Sequence, residues 1–178
     1  AVAMPTVLMM RTLPADSARI DVAADVLPNA HGALIAGWTT LGQESADGFL
    51  IQVDRDGTPL WRRHLGEAGL DILFAVQPDG AGGYVCAGFT GGRGAGGTDG
   101  WVVRVDSTGS RTWERWFGGD GDERLTSIRP TPRGWMVAGQ TGRAGDMDAW
   151  VLQLDREGRE VSSWTWGGAD VQRGLGVE

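Results

Sequence analysis

Apolar and polar residues alternate along three segments of the chain that share one layout. They read DGFLIQVDRDG, DGWVVRVDSTG and DAWVLQLDREG, and they begin at Asp47, Asp99 and Asp148. The alternation is typical of a strand with one face in a core. An aspartate ends each strand and a glycine follows three residues later, which indicates a tight hairpin turn. The pattern therefore predicts three strands, each leading into a hairpin.

Further strands are predicted on both sides of each alternating segment. A strand with tryptophan follows the hairpin, in the segments PLWRRHLG, RTWERWFGG and VSSWTWGG. Two strands come before it: the first lies in DVAADVLP, DILFAVQPDG and LTSIRPTPRG, and the second ends in AGWTT, AGFTG and AGQTG. No segment has a helical period with caps. Each repeat of about fifty residues is thus predicted to form four short antiparallel strands, as in an all-β propeller blade.

The phrase AGxT recurs at the end of each second strand. Small residues there leave room for a close approach between sheets, and a β-branched threonine suits a strand. We predict that each threonine hydrogen-bonds the loop that leads to the aspartate of the third strand. The role is interpreted as structural, because a scaffold is rebuilt in every repeat and a functional site need not be. The residues concerned are Gly37, Gly88, Gly139, Thr39, Thr90, Thr141, Asp47, Asp99 and Asp148.

The repeats are predicted to form a single domain over 1–178. Segment 5–14 aligns with the tryptophan strand of a blade that is otherwise absent, and 173–178 aligns with the start of a fourth repeat. Three blades are too few to close a ring, and an open arc exposes sheet faces and edges. We therefore expect self-association or a longer array, with a β-trefoil as the alternative fold. The full repeats are predicted at 19–66, 70–118 and 122–168.

Composition and charge narrow the classes of partner. The chain has 178 residues with 30 glycines, nine tryptophans and a net charge of −7. Its basic residues are scattered, which argues against binding to nucleic acid or to an anionic membrane. No run of apolar residues is long enough to span a bilayer, and the first residues do not have the layout of a signal peptide. The single cysteine, Cys86, lies in an apolar stretch and is predicted to be a buried thiol.

The repeats resemble those of bacterial secreted β-propellers, written W-x4-G-G, D-G-G-Y-x-x-A-G-x-T and D-x-W-x4-D-x-x-G-x3-W. Here the pattern stands as WFGGDGDERL, GGYVCAGFTGG and TDGWVVRVDSTGSRTW, and the resemblance covers about 5–178. The hairpin VDSTGSRTW is also similar to the tryptophan-docking repeats of quinoprotein propellers. The chain departs from the pattern at LGEAG in the first repeat and at Ser162, where Trp61 and Trp113 stand in the others. The resemblance implies a propeller fold and an extracellular or periplasmic location, and it implies little about activity.

Candidate catalytic and metal-binding residues are few. His31 lies in a predicted turn and His64 in a predicted strand, and neither has a partner at ligand spacing. The stretch GGDGDE offers Asp120, Asp122 and Glu123 as oxygen ligands for calcium. The counterparts GEAGLD and GGADVQ do not keep that spacing, which favours a solvated turn between blades. We predict no catalytic residue and no cofactor, with calcium as the candidate ion.

The tryptophans divide into two groups. Those at matched positions in the repeats are predicted to pack between blades: Trp61, Trp101, Trp113 and Trp150. The others recur less regularly, and exposed members would stack on sugar rings; the candidates for this are Trp38, Trp116, Trp135 and Trp166.

The sequence as a whole predicts a non-enzymatic scaffold or binding module. It would act in protein–protein interaction or self-assembly, with a protein or glycan ligand and without nucleic acid or membrane insertion. A lectin-like propeller is the first alternative. A segment of a quinoprotein-like enzyme is the second, although no cofactor ligands are evident for it in the sequence.

Overall fold

The structure is a computed structural model that describes residues 20–40, 45–143 and 145–167, and within them it is built from β-strands without any helix. The strands in chain order are β1 (Asp21–Asn29), β2 (Gly32–Thr40), β3 (Ala46–Asp54), β4 (Pro59–His64), β5 (Asp71–Pro78), β6 (Tyr84–Thr90), β7 (Asp99–Val105), β8 (Arg111–Phe117), β9 (Asp122–Thr131), β10 (Gly134–Arg143), β11 (Asp146–Asp155) and β12 (Glu160–Trp166).

The twelve strands form three separate four-stranded antiparallel sheets, each made of four consecutive strands. We call them the first sheet (β1–β4), the second sheet (β5–β8) and the third sheet (β9–β12). Each strand pairs with its neighbours in the chain, so every sheet is a simple meander. The predicted all-β fold with four strands per repeat is confirmed. Separate meanders are the arrangement of propeller-like blades, and they differ from the closed barrel of a β-trefoil.

The three sheets span 21–64, 71–117 and 122–166. Two further predictions lie outside the described residues: the tryptophan-type strand at 5–14 and the start of a fourth repeat at 173–178.

The turns between the third and fourth strands have the predicted hairpin chemistry. Asp54 ends β3, and its Oδ1 accepts hydrogen bonds from the backbone N–H of Asp56 at 2.9 Å and of Thr58 at 2.8 Å. Gly57 follows with φ +77°, a conformation that glycine adopts without steric cost. Asp106 and Asp155 accept the equivalent bonds in the second and third sheets. The aspartate and glycine therefore fix the hairpin in every sheet.

Two large hydrophobic cores hold the sheets together, one between each pair of consecutive sheets, and a smaller third cluster contains Ala46, Ile72 and Phe89. Leu34 and Leu50 of the first sheet pack against the second sheet, as does Leu65 in the loop that follows β4. Val102 and Phe117 of the second sheet pack against the third. We call the side of a sheet that faces the next sheet along the chain its downstream face, and the other its upstream face. The second sheet is thus covered on both faces.

The fourth strands of the first and second sheets, β4 and β8, each contain a tryptophan, Trp61 and Trp113 respectively. Each tryptophan packs on the hairpin turn of the next sheet along the chain. A Cβ built on Gly109 would lie 2.8 Å from the Trp61 ring, and one built on Gly158 would lie 2.6 Å from the Trp113 ring. Both rings therefore sit directly on these glycines, in the wedge between consecutive sheets. The remaining matched tryptophans, Trp101 and Trp150, are buried in the two cores.

Candidate functional site

The glycines of the AGxT phrase face the backbone of the first strand of their own sheet. A Cβ on Gly88 would lie 1.8 Å from the carbonyl oxygen of Ile72, beside an irregularity in the pairing of β5 with β6. The close approach is therefore within a sheet, whereas the sequence interpretation put it between sheets. Equivalent contacts of 1.9 Å would occur at Gly37 with Val22 O and at Gly139 with Arg124 O.

An acid–threonine–acid row crosses the first three strands of every sheet at the same end. The threonine lies opposite the predicted aspartate of the third strand on one side and opposite an acidic residue of the first strand on the other. The three rows are Asp21–Thr39–Asp47, Asp71–Thr90–Asp99 and Glu123–Thr141–Asp148. The structure thus brings each predicted threonine and aspartate together, and it adds a first-strand acid that the sequence prediction missed.

The threonine hydroxyls bond to groups other than the predicted aspartates in two of the rows. Thr141 Oγ1 donates to Glu123 Oε1 at 2.8 Å, across to the first strand. Thr90 Oγ1 accepts from the backbone N–H of Gly92 at 3.2 Å, and Gly92 lies in the loop that leads to Asp99, where the threonine bond was predicted. The rows therefore brace the loops through these partners. The acids recur at the repeat spacing, so this periodicity was the signal that could have identified them.

Rows of consecutive sheets meet at a glycine. A Cβ on Gly118 would lie 2.1 Å from Glu123 Oε2 and 2.6 Å from Asp99 Oδ1. A Cβ on Gly66 would lie 2.8 Å from both Asp47 Oδ1 and Asp71 Oδ2. The glycines therefore allow carboxylates from neighbouring sheets to approach one another.

Backbone N–H groups of the same loops bind these carboxylates. Asp71 Oδ2 accepts from Glu67 N–H at 2.7 Å, and Glu123 Oε2 accepts from Gly119 N–H at 3.0 Å. Asp99 Oδ1 accepts from Ala95 N–H at 3.2 Å. Each carboxylate thus ties a loop to a strand end, which accounts for buried acids without assigning them a reaction.

Burial raises the pKa of Asp99, and the nearby negative charge of Glu123 raises it further. The folded state then binds the proton of Asp99 more tightly than the unfolded state does. Ionised Asp99 consequently destabilises the fold, and this cost is relieved as the pH falls through the folded pKa. We expect Asp99→Asn to raise the free energy of unfolding at pH 7 by about 1 kcal/mol, with a gain that shrinks towards acid pH. Urea denaturation at a series of pH values measures it.

Asp106→Asn is the matched control, with an effect of the opposite sign. Hydrogen bonds from the Thr108 hydroxyl and from the backbone of Ser110 and Thr108 lower the pKa of Asp106. Its stabilising contribution is present above the unfolded pKa and is lost as the pH falls. A loss of stability in Asp99→Asn at pH 7 would contradict the account of the Asp99–Glu123 pair.

The predicted calcium ligands serve separate hydrogen bonds. Asp122 Oδ1 accepts from the backbone N–H and the hydroxyl of Thr98, at 3.0 Å and 3.1 Å. Glu123 binds Gly119 and Thr141, as described above, and Asp120 is exposed. Within 20–40, 45–143 and 145–167, no group of three or more His, Cys, Asp or Glu side chains is placed to hold a metal ion.

The tryptophans predicted to stack on sugars differ widely in exposure. Trp38 packs edge-on against Phe74 at 5.7 Å between ring centroids, and Trp116 lies 5.3 Å from the Arg93 guanidinium. Trp135 is only 5% exposed, so the faces of its ring are covered. Trp166, on β12, is 54% exposed and offers a free ring surface.

The remaining reactive side chains lie apart from these groups. His31 and His64 are both exposed, at a turn and at the end of β4. Cys86 is fully buried between the first and second sheets, and burial raises the pKa of its thiol. A buried thiol with a raised pKa is a poor nucleophile.

The downstream face of the third sheet differs from its counterparts in exposure. Leu65 and Phe117 occupy equivalent positions at the ends of the first two sheets, and the next sheet covers both, leaving them 4% and 8% exposed. Trp166 occupies that position in the third sheet and is 54% exposed. Trp164, two residues earlier on the same face, is 40% exposed. This surface, which we call the β12 face, is the candidate functional site.

No protein-family model matches the chain, and no curated protein matches it. The described residues include no helix of the length and apolarity that crossing a membrane requires.

Proposed function

We propose that the chain is a non-enzymatic assembly module of the β-propeller type, in which the β12 face packs against another four-stranded sheet. The exposure of Trp166 carries the proposal, because the residues at its position in the other two sheets are buried by the following sheet. A large aromatic side chain at an exposed site of this kind is a typical anchor of a protein interface. By the resemblance of its repeats, the module would work outside the cytoplasm.

The partner that fits this face is the first sheet of a second copy. The hairpin glycines of the second and third sheets, Gly109 and Gly158, lie under the rings of Trp61 and Trp113. A Cβ built on Gly57, their counterpart in the first sheet, would meet no atom of the described residues within 4 Å. A joint between the first sheet and the β12 face differs from the two interfaces already present, because Ser162 stands where Trp61 and Trp113 do, and because Phe49 and Ile51 on the upstream face of the first sheet are only 2% and 3% exposed. The exposed Trp164 and Trp166 would supply the aromatic contact instead. Two copies would bring together six blades, twice the three sheets of one chain.

Replacement of Trp166 with serine tests the proposal. We expect the unaltered chain to associate reversibly in sedimentation velocity. We expect Trp166→Ser to raise the dissociation constant of this association at least tenfold, as the loss of an aromatic anchor does. Trp166 is exposed, so the variant is expected to fold, and circular dichroism verifies that.

Val161→Ser is the matched control on the same strand. Val161 is 57% exposed, and its counterpart Leu60 is 54% exposed even though the first sheet has a neighbour, so this position does not belong to the packed face. We expect Val161→Ser to associate like the unaltered chain. A chain that sediments as a monomer at every attainable concentration would refute the proposal, as would equal weakening by both substitutions.

Exposed tryptophans also support the carbohydrate-binding alternative, and the same samples distinguish it. A monomeric chain whose tryptophan fluorescence is quenched by oligosaccharides, with the quenching lost in Trp166→Ser, would replace assembly with sugar binding as the function of the β12 face.

A further inference from the structure

Three polar side chains satisfy one another at the hairpin end of the interface between the first and second sheets. Asn29 Nδ2 donates to Gln52 Oε1 at 2.8 Å and to the Tyr84 hydroxyl at 3.3 Å. Gln52 Nε2 donates in return to Asn29 Oδ1 at 3.2 Å. Each of the three therefore has a partner in this network.

One repeat later, the equivalent positions hold Asp79, Arg104 and Trp135, and their bonding differs. Asp79 Oδ2 accepts from Arg104 Nε at 2.8 Å and Nη2 at 2.6 Å. Asp79 Oδ1 accepts from the backbone N–H of Ala81 at 2.7 Å and of Gly83 at 2.8 Å. Asp79 occupies the position of Asn29, which bonds to Tyr84 in the preceding repeat. The Asp79 carboxylate, however, already accepts hydrogen bonds from four donors.

The indole N–H of Trp135 has no hydrogen-bond acceptor among the described residues, although only 5% of the Trp135 surface is exposed. Two other buried tryptophans do have acceptors: Trp101 Nε1 donates to Glu114 and Trp150 Nε1 to Ser163. A buried donor without a partner typically costs about 1–3 kcal/mol, which a suitable acceptor would recover.

Trp135 lines a groove between the hairpin ends of the second and third sheets. The groove has a volume of about 640 Å³. Its apolar wall includes Pro78, Ala81 and Pro130, and its polar wall includes Arg104 and Arg156. It is therefore large enough for a few residues of peptide and combines an apolar surface with guanidinium groups.

The lining of the groove holds two arginines and two carboxylates, so it carries no net charge. Asp79 pairs with Arg104, whereas Glu157, at the rim, shares Arg159 with Asp155, at 3.1 Å and 2.7 Å. Arg156 donates to the carbonyl oxygen of Pro132 at 3.1 Å, a neutral acceptor. Among the described residues Arg156 therefore has no carboxylate partner, and Trp135, which lines the same groove, has an indole donor without an acceptor.

We propose that this groove binds a peptide carboxylate, with Arg156 pairing to the carboxylate, the Trp135 indole N–H donating to it, and the apolar wall contacting the adjoining residues. Because the N–H is covered, an acceptor reaches it by parting the side chains that line the groove. Arg156 is the side chain best suited to move, since it extends from an exposed turn to a backbone carbonyl.

Binding is tested by NMR on ¹⁵N-labelled full chain, through the indole N–H resonance that disappears in Trp135→Phe. The probes are N-acetyl-Ala-Pro-Leu with a free carboxylate, the same peptide with an amidated end, the amidated peptide N-acetyl-Ala-Asp-Leu, and inorganic phosphate. We expect the free-carboxylate peptide to shift this resonance with a dissociation constant of about 1 mM or tighter. The Asp peptide reports whether a side-chain carboxylate serves as well as a terminal one, and either result supports the proposal.

Arg156→Gln and Trp135→Phe are each expected to weaken peptide binding about tenfold, the effect of losing a hydrogen bond to a charged group. Binding to the arginine variant is followed at the Trp135 resonance, and binding to the Trp135 variant by calorimetry.

Arg55→Gln is the matched control, because Arg55 occupies the equivalent turn of the first sheet and donates to the Ala30 carbonyl oxygen in the same way. Tyr84→Phe is the corresponding control for Trp135→Phe. Both controls are expected to bind like the unaltered chain.

Three results, besides a shift with phosphate alone, would overturn the proposal. They are equal shifts by the amidated Ala-Pro-Leu peptide, which would exclude a carboxylate as the recognised group; no shift with any probe; and unaltered peptide affinity in folded Arg156→Gln. A shift with phosphate alone would assign the groove to a free inorganic anion and would likewise refute a peptide site.

Discussion

Gly88→Ala is expected to lower the free energy of unfolding by about 3 kcal/mol or more. The added methyl group would lie 1.8 Å from the carbonyl oxygen of Ile72, and neither backbone can move without breaking the pairing of β5 with β6. The second sheet contributes to both cores, so the displacement reaches both of its neighbours. Urea denaturation followed by circular dichroism measures the loss.

Gly119→Ala is the control for this substitution. A Cβ at Gly119 meets no described atom within 4 Å, and its backbone N–H remains available to Glu123. We expect its stability to stay within about 0.5 kcal/mol of that of the unaltered chain. If Gly88→Ala were equally harmless, the AGxT glycines would not be needed for close approach of the strands.

Trp101→Ala is expected to cost about 3–5 kcal/mol, the range for removing a large buried aromatic side chain. Trp101 is 2% exposed, fills the core between the first two sheets and donates its indole N–H to Glu114 Oε2 at 3.2 Å. The substitution leaves a cavity next to the same cluster that buries Cys86. Its thiol should therefore react faster with a disulfide reagent in Trp101→Ala, in parallel with a lower thermal midpoint.

Trp116→Ala provides the comparison, because its ring is half-buried at the edge of the same cluster. Its expected cost is about 1–2 kcal/mol, in keeping with a smaller buried area. Equal losses in the two variants, or an unchanged rate of Cys86 modification in Trp101→Ala, would show that this core is not organised around Trp101.

The sequence was sufficient to predict the strands and the third-to-fourth hairpins, because both depend on local rules. Alternation of apolar residues marked β3, β7 and β11. The aspartate and glycine of each hairpin act within a few residues of one another, as at Asp54 and Gly57. Three repetitions of the same signal made the count of strands secure.

Contacts between distant segments were predicted less well. The close approach at Gly88 comes from an irregular pairing of β5 with β6, which alternation alone does not reveal. Thr141 bonds to Glu123 rather than to the aspartate that shares its hairpin, because the first strand of the sheet also lies beside it. Local chemistry identified the right residue types in these rows, but their partners depend on the order of strands in the sheet.

The β12 face and the groove at Trp135 could be identified only by comparing equivalent positions of the three sheets in the structure. Trp166 was predicted from the sequence to be a candidate for sugar stacking, and its significance for assembly comes from the burial of Leu65 and Phe117 at the same position. Trp135 was predicted to be a surface residue for sugar stacking, yet the structure buries it and leaves its N–H without a described acceptor. The repeat spacing of the sequence identifies equivalent positions. Only the packing of the structure shows which of these positions differs from the others in burial or hydrogen bonding.

The division of most of the apolar interior into two large cores has a consequence for how the protein unfolds. Each core depends on contacts between nearest-neighbour sheets, so stability is the sum of two interface terms and the terms of the single sheets. The first sheet can detach and leave the core between the second and third sheets in place, and the third sheet can do the reverse. Loss of the second sheet removes both interfaces at once. The two ends of the array are therefore expected to open more often than its middle, so amide hydrogens should exchange most slowly in β6 and β7, the central strands of the sheet that both cores share.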